Sequence, residues 1–392
     1  MMAEPLIYII AGEPSGDLLG GRLMAALKAR AGGAIRFAGI GGPHMQEQGL
    51  QSLFPMTELT VMGLTEVVPR IPRILRRVRE TVDDIGQCQP AALITIDSWG
   101  FTGRVQKRCQ RQYGDLPRIH YVAPMVWAWK PKRAAELAGV LDLLMTLLPF
   151  EPPYFEKEGL RTIHVGHPVI ECGAGQGDGA RFRQRHHLAA DTKLLAVLPG
   201  SRHSESGRLL PVFAAVLERL RLSQPHLRVV VPAVPHLVEE IRQAASSWPF
   251  SPLILEDAAE KYDAFAAADC ALAASGTVAL ELAMAGLPTV IAYRLSALTA
   301  FVARRFFGFK IRWATLINMM LDRPVMPEFL QENCDAAKIA PVLERMLTDA
   351  DDRDRRRRHM AEAMTRLGLG GPSPGDRAAQ VVLDYIAERK RP

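Results

Sequence analysis

Cysteine is scarce and scattered. Five residues (Cys88, Cys109, Cys172, Cys270, Cys334) occur in 392, and no two lie close together. That pattern excludes a disulfide framework and a zinc cluster, and it makes a reducing compartment the default. The ten histidines show no metal-ligand spacing, so no metal site is expected. No basic stretch precedes the apolar run near the N-terminus, which leads straight into Glu13 and Asp17; a secretory signal is therefore not expected. Long unbroken apolar runs are also missing. Residues 270–293 carry almost no charge and are long enough to span a bilayer. Ser275-Gly276-Thr277 and Gly286-Leu287-Pro288 break them into strand, loop, helix and strand. With 31 glycines and 28 prolines, the chain is neither collagen-like nor of low complexity. No period of 20–50 residues repeats, which excludes a solenoid.

What remains is an ordinary globular balance, 48% hydrophobic and 23% charged. The length suits about two to three domains of roughly 150 residues. The net charge of +6 is compatible with an anionic substrate, a membrane surface or nucleic acid. The Arg355–Arg358 run has no aromatic neighbours to act as stacking platforms. It reads as a solvated helix face, and no nucleic-acid partner is expected.

Short apolar runs alternate with helical stretches. Leu6–Ala11, Arg36–Ile40, Ala91–Ile96, Arg118–Val122 and Leu141–Leu148 read as strands in the first half. Leu194–Leu198, Leu227–Val231, Ala271–Ala274 and Thr289–Ala292 follow in the second. This pattern predicts an α/β fold of two doubly wound, Rossmann-like parallel-sheet domains facing across a cleft. The expected division is 1–172, a glycine-rich linker at 173–191, 192–350, and C-terminal helices at 351–392 that pack across the domain boundary.

In such sheets ligands bind beyond the carboxyl ends of strands, and four polar groups fall there. Gly12–Asp17, with Gly16 and Asp17, is a tight strand-to-helix turn or an anion-binding one. Asp97 directly follows a strand and is either a general base or a turn residue. Ser201 and Arg202 sit at a strand-to-helix switch, where the arginine fork suits a diphosphate or a surface ion pair. Ser275-Gly276-Thr277 opens a helix and holds phosphate or caps it, while Glu281 accepts from a ribose or pairs with a neighbour. Trp127 and Trp129 lie beside three cations, Lys130, Lys132 and Arg133; the segment packs in the core, stacks on a sugar or grips a phosphate. The helical stretch 72–85 puts Ile74, Leu75, Val78, Val82 and Ile85 on one face amid Arg70, Arg73, Arg76, Arg77 and Arg79. It suits an anionic bilayer or ordinary docking on the sheet. His167, between Gly166 and Pro168, reads as a hydrogen-bonded turn residue.

Taken together, these motifs resemble the lipid-A-disaccharide synthase family. The resemblance is carried in order by Ala11–Asp17, Ile96-Asp97-Ser98, Tyr121–Pro124, Val126–Trp129, Pro149–Pro152, Val165–Pro168, Leu198–Arg202, Ala274–Thr277, Ala292–Arg294 and Pro327–Glu332. It implies a GT-B glycosyltransferase that joins UDP-2,3-diacylglucosamine to 2,3-diacylglucosamine 1-phosphate with inversion, giving a β-1,6-linked disaccharide 1-phosphate and UDP in lipid A synthesis. It implies no cofactor or metal, and a peripheral place on the cytoplasmic face of the inner membrane of Gram-negative bacteria; a homodimer stays open. Asp97 is the implied base, and Arg202 with Ser275–Thr277 the diphosphate site. Glu281 is the implied ribose partner, and Asn318, Glu328 and Gln331 match donor-side positions. Trp99, Thr102 and His203 depart from the family pattern beside these sites. The competing readings are another GT-B enzyme of UDP-GlcNAc, such as a 2-epimerase, and a non-catalytic nucleotide- or lipid-binding protein on the same scaffold.

Overall fold

The computed structural model describes residues 4–59, 64–127, 131–295 and 312–389, and of 64–71 the backbone alone. The chain forms two compact units, 1–168 with 370–392, and 169–369.

Six strands build the sheet of the first unit: β1 (Leu6–Ala11), β2 (Arg36–Ile40), β3 (Ala92–Ile96), β4 (Arg118–Tyr121), β5 (Leu143–Thr146) and β6 (Thr162–His164). All pair in parallel, in the spatial order β2-β1-β3-β4-β5-β6. The central strands β1 and β3 are almost wholly apolar because helices cover both faces; Ile7, Ile9, Ile10, Leu93 and Ile94 are fully buried. The chain order reverses between β1 and β3, and a crevice opens above their carboxyl ends.

The second unit repeats the plan with β7 (Leu194–Leu198), β8 (Arg228–Pro232), β9 (Leu253–Leu255), β10 (Cys270–Ala274), β11 (Thr289–Tyr293) and β12 (Glu328–Leu330). Their order is β12-β11-β10-β7-β8-β9, again all parallel. Here the reversal falls between β7 and β10. The apolar stretch 270–293 is β10, the helix Val278–Met284 and β11. No described helix is long and apolar enough to cross a membrane.

Three strands were absent from the sequence pattern: β6, β9 and β12. Each has three residues and lies at a sheet edge, too short to show a period. The segment 173–191, expected as a linker, lies within the second unit. It carries the helix Gly179–Arg185, capped by Asp178 and anchored by buried Phe182. The expected C-terminal segment divides. The helix Ala350–Arg366 belongs to the second unit, and its Arg355 and Arg356 pair with buried Asp352. The helix Pro374–Arg389 belongs to the first, where Ala378, Ala379, Val382 and Ile386 are buried in the core and Gly375 lies against the Arg22 backbone.

Candidate active site

Each sheet carries a cavity above its point of strand reversal. The cavity of the first unit holds about 620 Å³. Glu13 follows β1, Asp97 and Ser98 follow β3, and Val122 to Met125 follow β4. Leu59, Ile74, Leu75, Trp99 and Phe101 add an apolar wall, and Arg104 and Arg133 are the cations among its lining residues. Leu75 and Met125 keep substantial exposure.

Asp97 is fixed through its backbone. Its N–H donates to the Tyr121 carbonyl at 2.9 Å, and its own carbonyl accepts from Thr102 Oγ1 at 2.8 Å. Asp97 and Ser98 both have left-handed backbones, with φ of 51° and 47°, and Val122 beside them has φ 79°. A β-branched residue in that region is a genuine outlier. Such strain, about 1–3 kcal/mol per residue, gathers at functional sites. The turn leaves the Asp97 carboxylate half-buried on the cavity lining, accepting the Ser98 N–H at 2.7 Å. Burial holds its carboxyl above the ordinary aspartate range. The Ser98 N–H opposes that shift, and the nearby Glu13 charge adds to it. Thr102 and Trp99, the two departures from the family pattern here, are structural. Thr102 ties the helix Trp99–Gln112 to Asp97, and Trp99 packs edge-on against buried His120 at 4.9 Å. Burial drives the His120 imidazole down to about 3, so it stays neutral while bonded to Thr95 Oγ1 at 2.8 Å.

The second cavity holds about 550 Å³. Its lining includes Gly200, Ser201 and Arg202 after β7, Ser275, Gly276 and Thr277 after β10, and Glu281 one turn further on. Gly200 has φ 112°, and a Cβ there would lie 2.8 Å from Glu205 Oε2, so the turn requires glycine. Glu205 organises this loop. It accepts the Ser201 N–H at 3.3 Å and pairs with Arg202 at 2.9 Å. The Arg202 side chain is nonetheless 76% exposed and free to turn toward a ligand. His203 pairs with Glu240 at 2.7 Å, outside the lining residues.

Several expected residues have other partners. Asp17 is 1% exposed and accepts the N–H groups of Gly42, His44 and Met45 at 2.7, 3.0 and 3.1 Å. It caps the helix Pro43–Glu47 and is not among the residues lining either cavity. Gly16 is buried against Ala11 and Ile96. Asn318 and Glu328 bond to each other at 2.8 Å, and Glu328 also accepts from the Thr315 N–H and hydroxyl. They fasten the helix Leu316–Leu321 to β12, and neither they nor Gln331 line the cavity. Ser275 is not a cap: Thr277 stands at the cap position and makes no side-chain bond there. Glu281 forms an ion pair with Lys261 on the cavity wall.

Arg77 is likewise occupied. It grips Glu58 at 2.8 Å and Glu80 at 2.7 Å, and lies over the Phe54 ring at 4.4 Å. Arg73 shares Glu58 but is 55% exposed, and Arg76 is exposed. Trp127 stacks edge-on with Phe150 at 5.4 Å and donates to Glu151. The Arg70 side chain and all of Trp129 lie outside the described residues.

Sequence reasoning passed over Glu205, Lys261 and Arg104; Arg133 entered it only as one of the three cations beside the tryptophans. Glu205 had a signal: it stands three residues after the helix cap, in the spacing of a capping box. Lys261 is one lysine of a surface helix and carried none. Among the described residues no cluster of His, Cys, Asp and Glu is arranged to hold a metal ion.

Comparison with known proteins follows the same lines. The family model described as lipid-A-disaccharide synthetase matches residues 7–373. A lipid-A-disaccharide synthase of Paramagnetospirillum magneticum is 58% identical over 98% of both chains. That of Rhodospirillum centenum is 51% identical, covering 99% of this chain and 96% of its own. Among solved structures, the S. aureus MnaA–UDP complex superimposes with a TM-score of 0.61 at 13% identity, covering 97% of this chain and 95% of its own. That likeness speaks for the fold, two Rossmann-like domains of the GT-B type.

Proposed function

This chain belongs to the lipid-A-disaccharide synthetase family and is a GT-B glycosyltransferase of lipid A biosynthesis, and on that premise we propose that it joins UDP-2,3-diacylglucosamine to 2,3-diacylglucosamine 1-phosphate, with Asp97 as the base. The family assignment displaces the epimerase and binding-protein readings. The observation that carries the proposal is the setting of Asp97. A strained turn holds its carboxylate at a strand reversal, on the lining of a cavity whose walls are otherwise largely apolar. A hydroxyl acceptor with acyl chains fits that setting.

In this reading Asp97 takes the proton of the acceptor's 6-hydroxyl. The oxygen forms its bond to C1 of the donor sugar from the face opposite the diphosphate, the C1–O bond to phosphate breaks, and UDP leaves with inversion. A base of this kind contributes about 10²–10⁴-fold, and a carboxyl held above its ordinary range is better matched to neutral pH. Arg202 and the loop Ser275–Thr277 would take up the charge that develops on the diphosphate, so transfer needs no metal ion. The S. aureus neighbour is described as a UDP complex, which is consistent with a UDP-sugar donor.

Exposed Arg73 and Arg76 lie on the same helix as exposed Leu75. That combination suits peripheral contact with an anionic inner-membrane surface at its cytoplasmic face. The test of the reaction is Asp97→Asn, which should bind UDP as the wild type does and lose transfer. Unchanged turnover would remove Asp97 as the base.

A further inference from the structure

The cavity that holds Asp97 is polarised. Its carboxylates, Glu13 and Asp97, come from the ends of β1 and β3. Its cations, Arg104 and Arg133, come from elsewhere. Arg104 sits five residues into the helix Trp99–Gln112, roughly 7.5 Å along its axis from the first residue, and Arg133 opens the helix Arg133–Ala138. The same two arginines also line an adjoining cavity of about 280 Å³ with Lys107 and Glu136, so together with Trp99 and Gly100, which line both, they form the partition between the two spaces. Glu136 does not neutralise this partition alone. Its carboxylate is held foremost by Lys107 at 2.6 Å and also accepts from the Trp99 indole N–H. Arg104 is exposed and donates to the Gly100 carbonyl of its own helix, which engages one N–H of the five its guanidinium carries.

An acceptor of the proposed kind has three chemistries: a hydroxyl that must meet a carboxylate, acyl chains that need apolar wall, and a phosphate. A phosphate dianion is repelled from Glu13 and Asp97 and attracted to a guanidinium fork. We propose that Arg104 and Arg133 form the phosphate subsite for the acceptor, fixing the sugar so that its far hydroxyl, rather than another, meets Asp97. This rests on the reaction proposed above. Both are positioning residues, and neither takes part in bond making.

The experiment compares two acceptors in neutral detergent free of phospholipid: 2,3-diacylglucosamine 1-phosphate and the same sugar without its phosphate. The wild type should prefer the phosphorylated acceptor. In Arg104→Ala and Arg133→Ala the preference should fall about 10- to 100-fold each, the loss expected of charge-assisted bonds. The change should lie in the acceptor KM, with turnover of the dephosphorylated sugar unaltered. Arg104→Lys should recover part of it, as a point charge without the fork. A variant that keeps the wild-type melting temperature but loses both acceptors alike overturns the assignment, as does one that keeps the wild-type preference. Sedimentation with phosphatidylglycerol vesicles separates the two sources of phosphate. If the double variant Arg104→Ala with Arg133→Ala keeps its acceptor preference but leaves the vesicles, the arginines serve lipid headgroups and the inference falls. If the wild type transfers to neither sugar, the proposed reaction fails and the inference falls with it. A wild type that transfers, paired with variants that discriminate unchanged, leaves the reaction standing and removes the subsite alone.

Discussion

Gly12 and Ser98 nearly touch: a β-carbon on Gly12 would lie 2.8 Å from both Cβ and Oγ of Ser98. The loop after β1 therefore presses on the turn that presents Asp97. Gly12→Ala forces one of them aside, and overpacking of this sort costs about 1–3 kcal/mol. Transfer should fall at least tenfold while UDP binding, in the other unit, is unchanged. Ser98→Gly removes the obstructing side chain and suits the left-handed backbone at φ 47°, so the double variant should regain most of the lost activity. Steady-state kinetics with UDP titration on the three variants checks this.

With Asp97 as the proposed base, the acid limb of the pH–rate profile is expected to report its carboxyl. A base must be ionised to act, so the rate falls as pH drops through its pKa. Burial, assisted by Glu13, sets that pKa above the ordinary aspartate range. Glu13→Gln removes the neighbouring negative charge. The expected result is an acid limb displaced to lower pH, with the plateau rate changed less than the limb position. A profile that does not move would show that the Glu13 charge is not felt at the base.

Arg202 is the exposed cation of the second cavity, tethered to Glu205 at 2.9 Å. Loss of a charge-assisted hydrogen bond costs about 1.5–3 kcal/mol. Arg202→Ala should accordingly weaken UDP binding by roughly 10–100-fold, read by calorimetry. UMP, without the second phosphate, should be affected less.

Glu151 makes folding stability pH-dependent. It is 3% exposed and has neutral hydrogen-bonding partners, the backbone N–H groups of Leu148 and Leu147 and the Trp127 indole. Burial pushes its carboxyl up to about 7 from an ordinary 4.5. The folded protein thus keeps this proton over a window where the unfolded chain has lost it, and stability falls as pH rises through that window. Glu151→Gln has no proton to lose. Its stability relative to the wild type should rise by up to about 3 kcal/mol between pH 4 and pH 8, measured by urea unfolding at each pH.

The sequence made the central strands and both strand-reversal loops legible, because a buried parallel strand is a continuous apolar run and its polar end stands out. Asp97, Arg202 and Ser275 were visible for that reason. The bonding of Asp17 and Glu328 was not legible because their partners include backbone N–H groups brought in by distant segments, Gly42 to Met45 and Ala314 to Thr315. Nothing local distinguishes a carboxylate that caps a neighbouring helix from one that meets a ligand. Arg77 shows the same limit. A helical arginine run shows its charge, but the run does not show Glu58 arriving from another segment to bind two of its members, Arg73 and Arg77. Arg104 stayed hidden because one cation on an amphipathic helix has no spacing to mark it.

The most direct test is UDP release from the purified protein in detergent, with UDP-2,3-diacylglucosamine, with and without 2,3-diacylglucosamine 1-phosphate, and with a chelator present, for the wild type and Asp97→Asn. The account predicts release that depends on acceptor, persists in chelator, yields a disaccharide 1-phosphate by mass spectrometry and disappears in the variant. Release without acceptor, or undiminished release by Asp97→Asn, would contradict it.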